Sequence, residues 1–159
     1  MEESEVIAVE ENTKKTIEEA IREDGVYVST TSGVSMRPLF KHRRDTVIIS
    51  RVEGRLKKYD VPLYRRGDQY ILHRIVKVLP DSYVIVGDNC IAREYDIKDE
   101  NIIGVLTAFY RKNRYYTVSH PLYRAYAVIW CATYHPRVFV KRALSFGKRT
   151  LKKIFGIKK

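Results

Sequence analysis

The sequence has little cysteine: only Cys90 and Cys131, which are far apart and outside any CxxC spacing. This scarcity excludes a disulfide-framework protein and leaves no zinc-binding signature. The chain has 159 residues, the length of one domain of ordinary size, and 45% of them are hydrophobic, enough to bury a core. We therefore expect two buried thiols in a reducing compartment, with no metal and no cofactor.

Long apolar runs are also missing. No run of about 18 uncharged apolar residues occurs, and the nearest, "AYAVIWCATY" at 125–134, is too short to cross a membrane. The first twenty residues contain seven glutamates and no apolar stretch of the kind found in secretion signals. The sequence therefore predicts a cytoplasmic protein, with any membrane attachment peripheral and at the inner face.

Acidic residues are absent from the last part of the chain. Residues 101–159 contain 13 Lys or Arg and no Asp or Glu, whereas residues 1–100 contain 17 basic and 19 acidic residues. Such an uneven charge predicts that the basic end meets something negative. We favour an anionic membrane surface over a nucleic acid or an acidic partner. The sequence makes no prediction of oligomeric state.

Residues 1–25 are predicted to form an acidic segment that ends in a short helix. Asn12 or Thr13 is expected to cap this helix, and Gly25 is expected to end it. The helix separates the acidic start of the chain from the region where the sequence pattern changes to strands.

Residues 26–111 alternate short apolar runs with turn residues, which predicts a mainly β, compact domain of barrel type. Hairpins are expected at Gly67-Asp68 and at Pro80-Asp81. Pro62 falls inside one of the runs and indicates an edge strand. The six predicted strands are 26–30, 46–52, 61–66, 70–79, 82–87 and 102–111.

Residues 112–159 are predicted to be a basic helical region. A partly buried helix is expected over 121–134, ended by His135-Pro136, and a basic amphipathic helix is expected to follow. That second helix either lies in a membrane interface or packs on the domain with its basic face in solvent. Its apolar face consists of Val140, Ala143, Leu144, Leu151, Ile154 and Phe155.

Three patches in the β region carry polar residues that strands do not need. They are "SGVSMRP" with Ser35, "ILHRIV" with His73, and "VGDNCIARE" with Asp88 and Glu94. Each has an ordinary structural interpretation: a turn serine, a buried core histidine and an Asx turn. A catalytic interpretation of His73 needs a partner residue. Ser35 is a candidate, since a neutral imidazole is able to take the proton of a serine hydroxyl.

The order of these patches, with "RRDTVIIS" and "KKYDVPLY" between them, resembles one known group. It is the S24/S26 serine peptidase superfamily of signal peptidases and LexA-like self-cleaving repressors. The resemblance covers about residues 26–108. It is closest to the histidine-base branch, the endoplasmic-reticulum and SipW-like signal peptidases, because position 73 is His and not Lys.

This resemblance implies a serine endopeptidase with a signal-peptidase-like β domain, flanked by the short N-terminal helix and C-terminal helices. Ser35 would be the nucleophile and His73 the general base. The backbone N–H of Ser35 would help hold the oxyanion, and Met36 and Pro38 would shape the turn and its pocket. The substrate would be a leader or precursor peptide with small residues before the cleaved bond.

The resemblance also implies an acid that orients the base. Glu94 falls where the family has an aspartate, so we expect Glu94 to have this role, with Asp88 as the rival. Asp88 matches the aspartate of the family's GDN loop, which implies that it braces that loop.

The sequence departs from the family pattern at several positions. Gly33 stands where many signal peptidases have a serine that donates to the oxyanion, although Ser32 is near. Tyr59 stands where a glycine is usual. Two other functions stay open. One is a LexA-like self-cleaving regulator. We expect no helix-turn-helix domain before residue 26, which argues against such a regulator. The other is a non-enzymatic β domain that binds anionic membrane or nucleic acid through its basic end.

Overall fold

The computed structural model describes residues 16–154, and side chains over 16–147. Within that range the chain is mainly β, which confirms the predicted fold class. The helices are α1 (Ile17–Asp24), α2 (Pro121–Ala132) and α3 (Tyr134–Ile154), with a 3-10 turn at Asp99–Asn101. The strands are β1 (Val26–Thr30), β2 (Thr46–Ser50), β3 (Pro62–Arg66), β4 (Gln69–Leu72), β5 (Arg74–Val78), β6 (Tyr83–Val86), β7 (Glu94–Ile97), β8 (Ile102–Arg111) and β9 (Arg114–Thr117).

The described strands form two antiparallel sheets. The first has the order β1-β2-β8-β3-β4, with β9 also paired to β8, and it curls into a half-barrel. The second has the order β5-β6-β7. One apolar cluster lies around Ile49, Leu106 and Phe109 of the first sheet. The other joins Ile75 and Ile85 of the second sheet to Tyr64 of β3. The two sheets therefore pack together through this second cluster.

Helix α1 begins at Ile17, about one turn after the predicted caps Asn12 and Thr13. Thr16 is the N-cap, and it forms a capping box with Glu19. Gly25 ends the helix at a positive φ of 75°, as expected of a residue that follows a helix in the left-handed region. Asn12 and Thr13 lie outside the described residues.

The six predicted strands all contain strand residues, but the fourth prediction covers two strands. The run 70–79 breaks at His73, which separates β4 in the first sheet from β5 in the second. The sequence pattern did not reveal this break because Ile71 and Ile75 keep their two-residue spacing across it. Consequently His73 lies at the passage between sheets and not within a continuous strand.

Strands β7 and β9 were not predicted. The sequence "EYDI" of β7 has only two apolar residues, Tyr95 and Ile97, and its Asp96 has a positive φ of 59°. It is a strand because it pairs with the buried strand β6. Strand β9 has four residues and follows a turn at Lys112, so it extends the β region into the segment predicted to be helical. Both β7 and β9 are strands because each pairs with a neighbouring strand, and not because of their own apolar pattern.

The prediction of an edge strand at Pro62 is wrong. Strand β3 lies inside the first sheet, between β8 and β4. Pro62 is tolerated because it is the first residue of β3: it faces Val105 of β8, whereas pairing with β4 begins only at Leu63. Nearby, Tyr59 has a positive φ of 82°, the backbone conformation that a glycine adopts most easily, and its N–H donates to the carbonyl of Ile75 at 2.9 Å.

The C-terminal region forms two helices, but they separate at Thr133 and not at His135-Pro136. Pro136 is the third residue of α3, where its missing N–H would have no partner within the helix anyway. In the part of the chain that the structure describes, no helix combines the length and the apolar character needed to cross a membrane.

Candidate active site

His73 lies at the passage from β4 to β5 and is buried. Its Nδ1 is 3.0 Å from Oε1 of Glu94 and 3.2 Å from the hydroxyl of Tyr64. On the other side of the ring is Gly87, where a Cβ atom would lie 2.8 Å from Nε2. Gly87 is therefore needed for its lack of a side chain, because any larger residue would displace the imidazole.

Glu94 is the first residue of β7, and it faces His73 as a charged group. Burial raises the pKa of its carboxyl, but hydrogen bonding from Tyr64 and the charges of His73 and Arg66 outweigh burial and lower it below the usual range. The Arg66 guanidinium is 3.1 Å from Glu94 Oε2. The carboxylate is thus placed to accept the Nδ1–H of His73, which leaves the lone pair on Nε2.

The pKa of His73 lies below its usual value of 6.5, chiefly because burial disfavours the imidazolium. The charge of Glu94 acts in the opposite direction and raises it. At neutral pH the ring is therefore uncharged and able to accept a proton at Nε2, as a general base requires.

Ser35 lies in the turn after β1 and is half-buried. Gly33 has a positive φ of 84°, and its N–H donates to Nδ1 of His42 at 2.9 Å. The carbonyl of Ser35 accepts the N–H of Asn89 at 2.7 Å. Within residues 16–154, neither the N–H nor the hydroxyl of Ser35 has a hydrogen-bond partner, so both are available to a ligand.

The geometry narrows which groups are able to hold an oxyanion. Ser35 offers a free N–H, whereas the N–H of Gly33 already donates to His42. Met36 contributes packing, because its side chain is buried in the core of the first sheet. Ser32 is exposed, and it lines the same cavity as Ser35.

The turn Gly87–Cys90 joins the serine to the histidine. Besides its N–H bond to Ser35, Asn89 donates through Nδ2 to the carbonyl of Val34 at 3.1 Å. The next residue, Cys90, places its Sγ 4.0 Å from Nε2 of His73. Among the described residues no hydrogen bond links Ser35 to His73. Catalytic hydrogen bonds are often formed only when the substrate is bound.

Asp88 does not face His73. Its two carboxylate oxygens accept from Nε and Nη2 of Arg74, both at 2.9 Å, and the pair is buried. Tyr126 of α2 donates its hydroxyl to the same carboxylate at 2.9 Å. Asp88 therefore braces its loop against β5 and α2, and Glu94, rather than Asp88, is the carboxylate bonded to His73.

A cavity of about 760 Å³ opens beside Ser35. Its walls combine the serine turn and Asn89 with apolar side chains of the first sheet, such as Leu63 and Ile71. Residues of β1 and β4 lie along it, and these are the two outer strands of the described first sheet. The cavity therefore offers apolar walls, outer strand edges and the hydroxyl of Ser35.

No family model matches this chain, and no curated protein matches it.

The family resemblance accordingly depends on the order of the motifs and on the placement of their residues. In the described part of the chain, no three His, Cys, Asp or Glu side chains converge as metal ligands. Cys90 and Cys131 are both free cysteines, but each is partly exposed, so the expectation that both thiols are buried is wrong.

Sequence reasoning missed several residues around the base. Tyr64 and Arg66 lie on β3, where they read as ordinary strand residues, yet both contact the Glu94 carboxylate. Tyr64 alternates with buried Pro62 and has a raised pKa, mainly through burial. Arg74, beside His73 in sequence, gave no sign that it pairs with Asp88. The available signal was a charged residue in an apolar strand, which needs a buried partner.

Proposed function

We propose that this chain is a serine endopeptidase of signal-peptidase type that cleaves a leader or precursor peptide. The observation that carries the proposal is the position of His73. Its Nδ1 is bonded to Glu94, and its Nε2 faces the Gly87–Cys90 turn that is bonded to Ser35. A turn serine and a core histidine have no structural reason to be joined in this way.

The reaction then follows the general course of acyl transfer. Ser35 Oγ attacks the peptide carbonyl while Nε2 of His73 takes its proton, and the N–H of Ser35 donates to the oxyanion. When the C–N bond breaks, His73 returns that proton to the leaving amine. Water then attacks the acyl ester, His73 takes a proton from the water, and release of the acid restores the Ser35 hydroxyl.

Substrate binding is supported by the outer strands. An extended peptide is able to pair its backbone with the unpaired edge of a strand while alternate side chains enter pockets. The edges of β1 and β4 lie along the apolar cavity next to Ser35. This arrangement favours an extended peptide over a compact small molecule as the substrate.

The first test uses a mixed synthetic peptide library, with products identified by mass spectrometry. The full chain is expected to cleave a subset of the library, and Ser35→Ala is expected to lose at least about 10⁴-fold in rate because no nucleophile remains. Ser119→Ala, on an exposed turn before α2, is the matched control and should cleave as the wild type does. Full cleavage by Ser35→Ala, or none by the wild type, contradicts the proposal.

The same incubation addresses self-cleavage. A LexA-like regulator would convert its own chain into fragments at raised pH, whereas a peptidase acting on other peptides leaves its own mass unchanged. An intact mass after long incubation therefore favours the peptidase.

The pH dependence is expected to report His73. Since His73 must be neutral and burial lowers its pKa, the acid limb of kcat/KM should lie below pH 6.5. Glu94→Gln removes a charge that raises this pKa, so the limb should move to lower pH. Arg66→Gln removes a charge that lowers it, so the limb should move to higher pH.

Arg65→Gln is the matched control for this pH series. Arg65 is the neighbour of Arg66 on β3, and its contacts are with Glu18, Gly67 and Asp68, away from the base. Its acid limb should coincide with that of the wild type. Identical limbs in the Glu94→Gln and wild-type enzymes would remove Glu94 from the site.

We also propose that the enzyme acts in the cytoplasm, peripherally at the inner face of the membrane. This placement is supported by charge: residues 101–159 contain no acidic side chain, and the cytoplasmic leaflet is the anionic one.

A further inference from the structure

Over residues 134–147, where the structure describes side chains, the apolar side of α3 faces solvent instead of the domain. The side chains of Leu151, Ile154 and Phe155, which belong to the predicted apolar face, lie outside the described range. Phe139 and Phe146 are 73% and 74% exposed, and Leu144 is 62% exposed. An ordinary surface helix buries its apolar side against the core. We call the exposed set the α3 apolar face: it consists of Phe139, Val140, Ala143, Leu144 and Phe146.

The start of α3 contacts the domain through the buried Tyr134, whose hydroxyl donates to the carbonyl of Ile91, and through two basic side chains. Arg137 donates through Nη1 to the carbonyl of Asp88 at 3.0 Å, and Lys141 donates through Nζ to the carbonyl of Asn89 at 2.6 Å. The Arg137 guanidinium also lies 3.8 Å from the centre of the Trp130 ring of α2. Thus two cations hold the start of α3 to the Asp88-Asn89 turn and leave its apolar face outward.

The charge of α3 determines which occupant this face fits. The helix has 21 residues, about 32 Å of length, and no acidic side chain. An apolar strip between basic residues matches the boundary between acyl chains and anionic headgroups. The basic residues in its sequence are Arg137, Lys141, Arg142, Lys148, Arg149, Lys152 and Lys153.

A second copy of this chain is a poorer occupant. Two such helices would bring their positive charges together with no acidic side chain on α3 to oppose them, which is unfavourable. An anionic bilayer meets both requirements, since it takes up the aromatic and aliphatic side chains and attracts the surrounding Lys and Arg.

We propose that the α3 apolar face inserts into the interface of an anionic phospholipid bilayer, with the helix lying along the surface. Because Arg137 and Lys141 bind the Asp88-Asn89 turn, and Asn89 binds Ser35, this attachment places the Ser35 turn beside the bilayer. Membrane attachment and the candidate site thus share one loop. The proposed membrane binding of the α3 apolar face does not depend on the peptidase activity.

The test is co-sedimentation of the full chain with phosphatidylcholine vesicles, with and without phosphatidylglycerol. The wild type is expected to sediment with the phosphatidylglycerol vesicles and to be released by high salt. The double variant Phe139→Ser/Phe146→Ser is expected to bind at least about tenfold more weakly, because two aromatic side chains no longer enter the interface. Val28→Ser, an exposed valine on β1, is the matched control and should bind as the wild type does.

Three results would overturn the proposal. They are no binding to anionic vesicles, equal binding to both vesicle types, and undiminished binding by the Phe139→Ser/Phe146→Ser variant. A concentration-dependent dimer that this variant abolishes, without vesicle binding, would identify a second copy as the occupant. Ser35→Ala should bind vesicles normally, so failure of the peptidase proposal and failure of this one are distinguishable.

Discussion

His73→Asn is expected to reduce peptide cleavage by about 10⁴-fold or more, with the fold unchanged. Asparagine fills similar space but takes no proton from Ser35 at neutral pH. The measurement is kcat/KM on a peptide that the library experiment identifies, with circular dichroism as the check on folding. His135→Asn is the matched control, since His135 is exposed and its ring contacts Arg93 and Tyr134, away from the serine.

Glu94 is expected to act only through His73. Glu94→Gln alone should reduce cleavage by about 10²- to 10⁴-fold, because the imidazole loses the group that fixes its tautomer and stabilises its charged form. The double variant His73→Asn/Glu94→Gln should be no slower than His73→Asn, since residues that act as a unit are not additive. Losses that multiply would show that Glu94 has a separate role.

The second large effect concerns stability. Arg74→Met is expected to lower the free energy of unfolding by about 3–5 kcal/mol, because it leaves the Asp88 carboxylate buried without its ion-pair partner. The double variant Arg74→Met/Asp88→Leu should lose less than the sum of the two single variants, since neither charge remains. Urea unfolding followed by circular dichroism measures these changes.

An exposed pair provides the matched control for that series. Arg22 and Glu23 on α1 lie 3.7 Å apart at the surface, and Arg22→Met should leave the unfolding midpoint unchanged. Equal destabilisation by Arg22→Met and Arg74→Met would contradict the argument from burial.

The same variants separate the two candidate acids. The Asp88 carboxylate accepts from Arg74 and from Tyr126 of α2, so its neutralisation should loosen the junction with the C-terminal helices. Trp130 and Arg137 donate to the backbone carbonyl of Asp88, which a substitution leaves in place. We therefore expect Asp88→Asn to change stability more than chemistry. Asp88 would replace Glu94 as the orienting acid if Asp88→Asn abolished cleavage without changing stability, and if Glu94→Gln left both cleavage and stability unchanged.

Most of the strands predicted from sequence have a buried side, although β1 and β4 contain only partly buried and exposed residues. In β2 and β8, apolar residues alternate with partly exposed ones, and that two-residue period is visible without a structure. In β7, Tyr95 and Ile97 keep this spacing over only four residues, and no side chain of the strand is fully buried. The break at His73 was equally invisible, because the chain changes sheets there without changing its apolar spacing. The apolar pattern of the sequence records burial, whereas β7 and the break at His73 depend on which strand each segment pairs with.

By itself the sequence determined the β fold class and the turn that contains Ser35, and it predicted His73 and Glu94 as site residues, because local turn chemistry and motif order are properties of the chain. Only the tertiary structure decided that Glu94 faces His73 while Asp88 pairs with Arg74, and that Tyr64 and Arg66 contact the Glu94 carboxylate. It also decided that α3 turns its apolar face outward. These outcomes depend on which side chains meet across the two sheets and the C-terminal helices, and contacts between distant residues leave no periodic trace in one sequence.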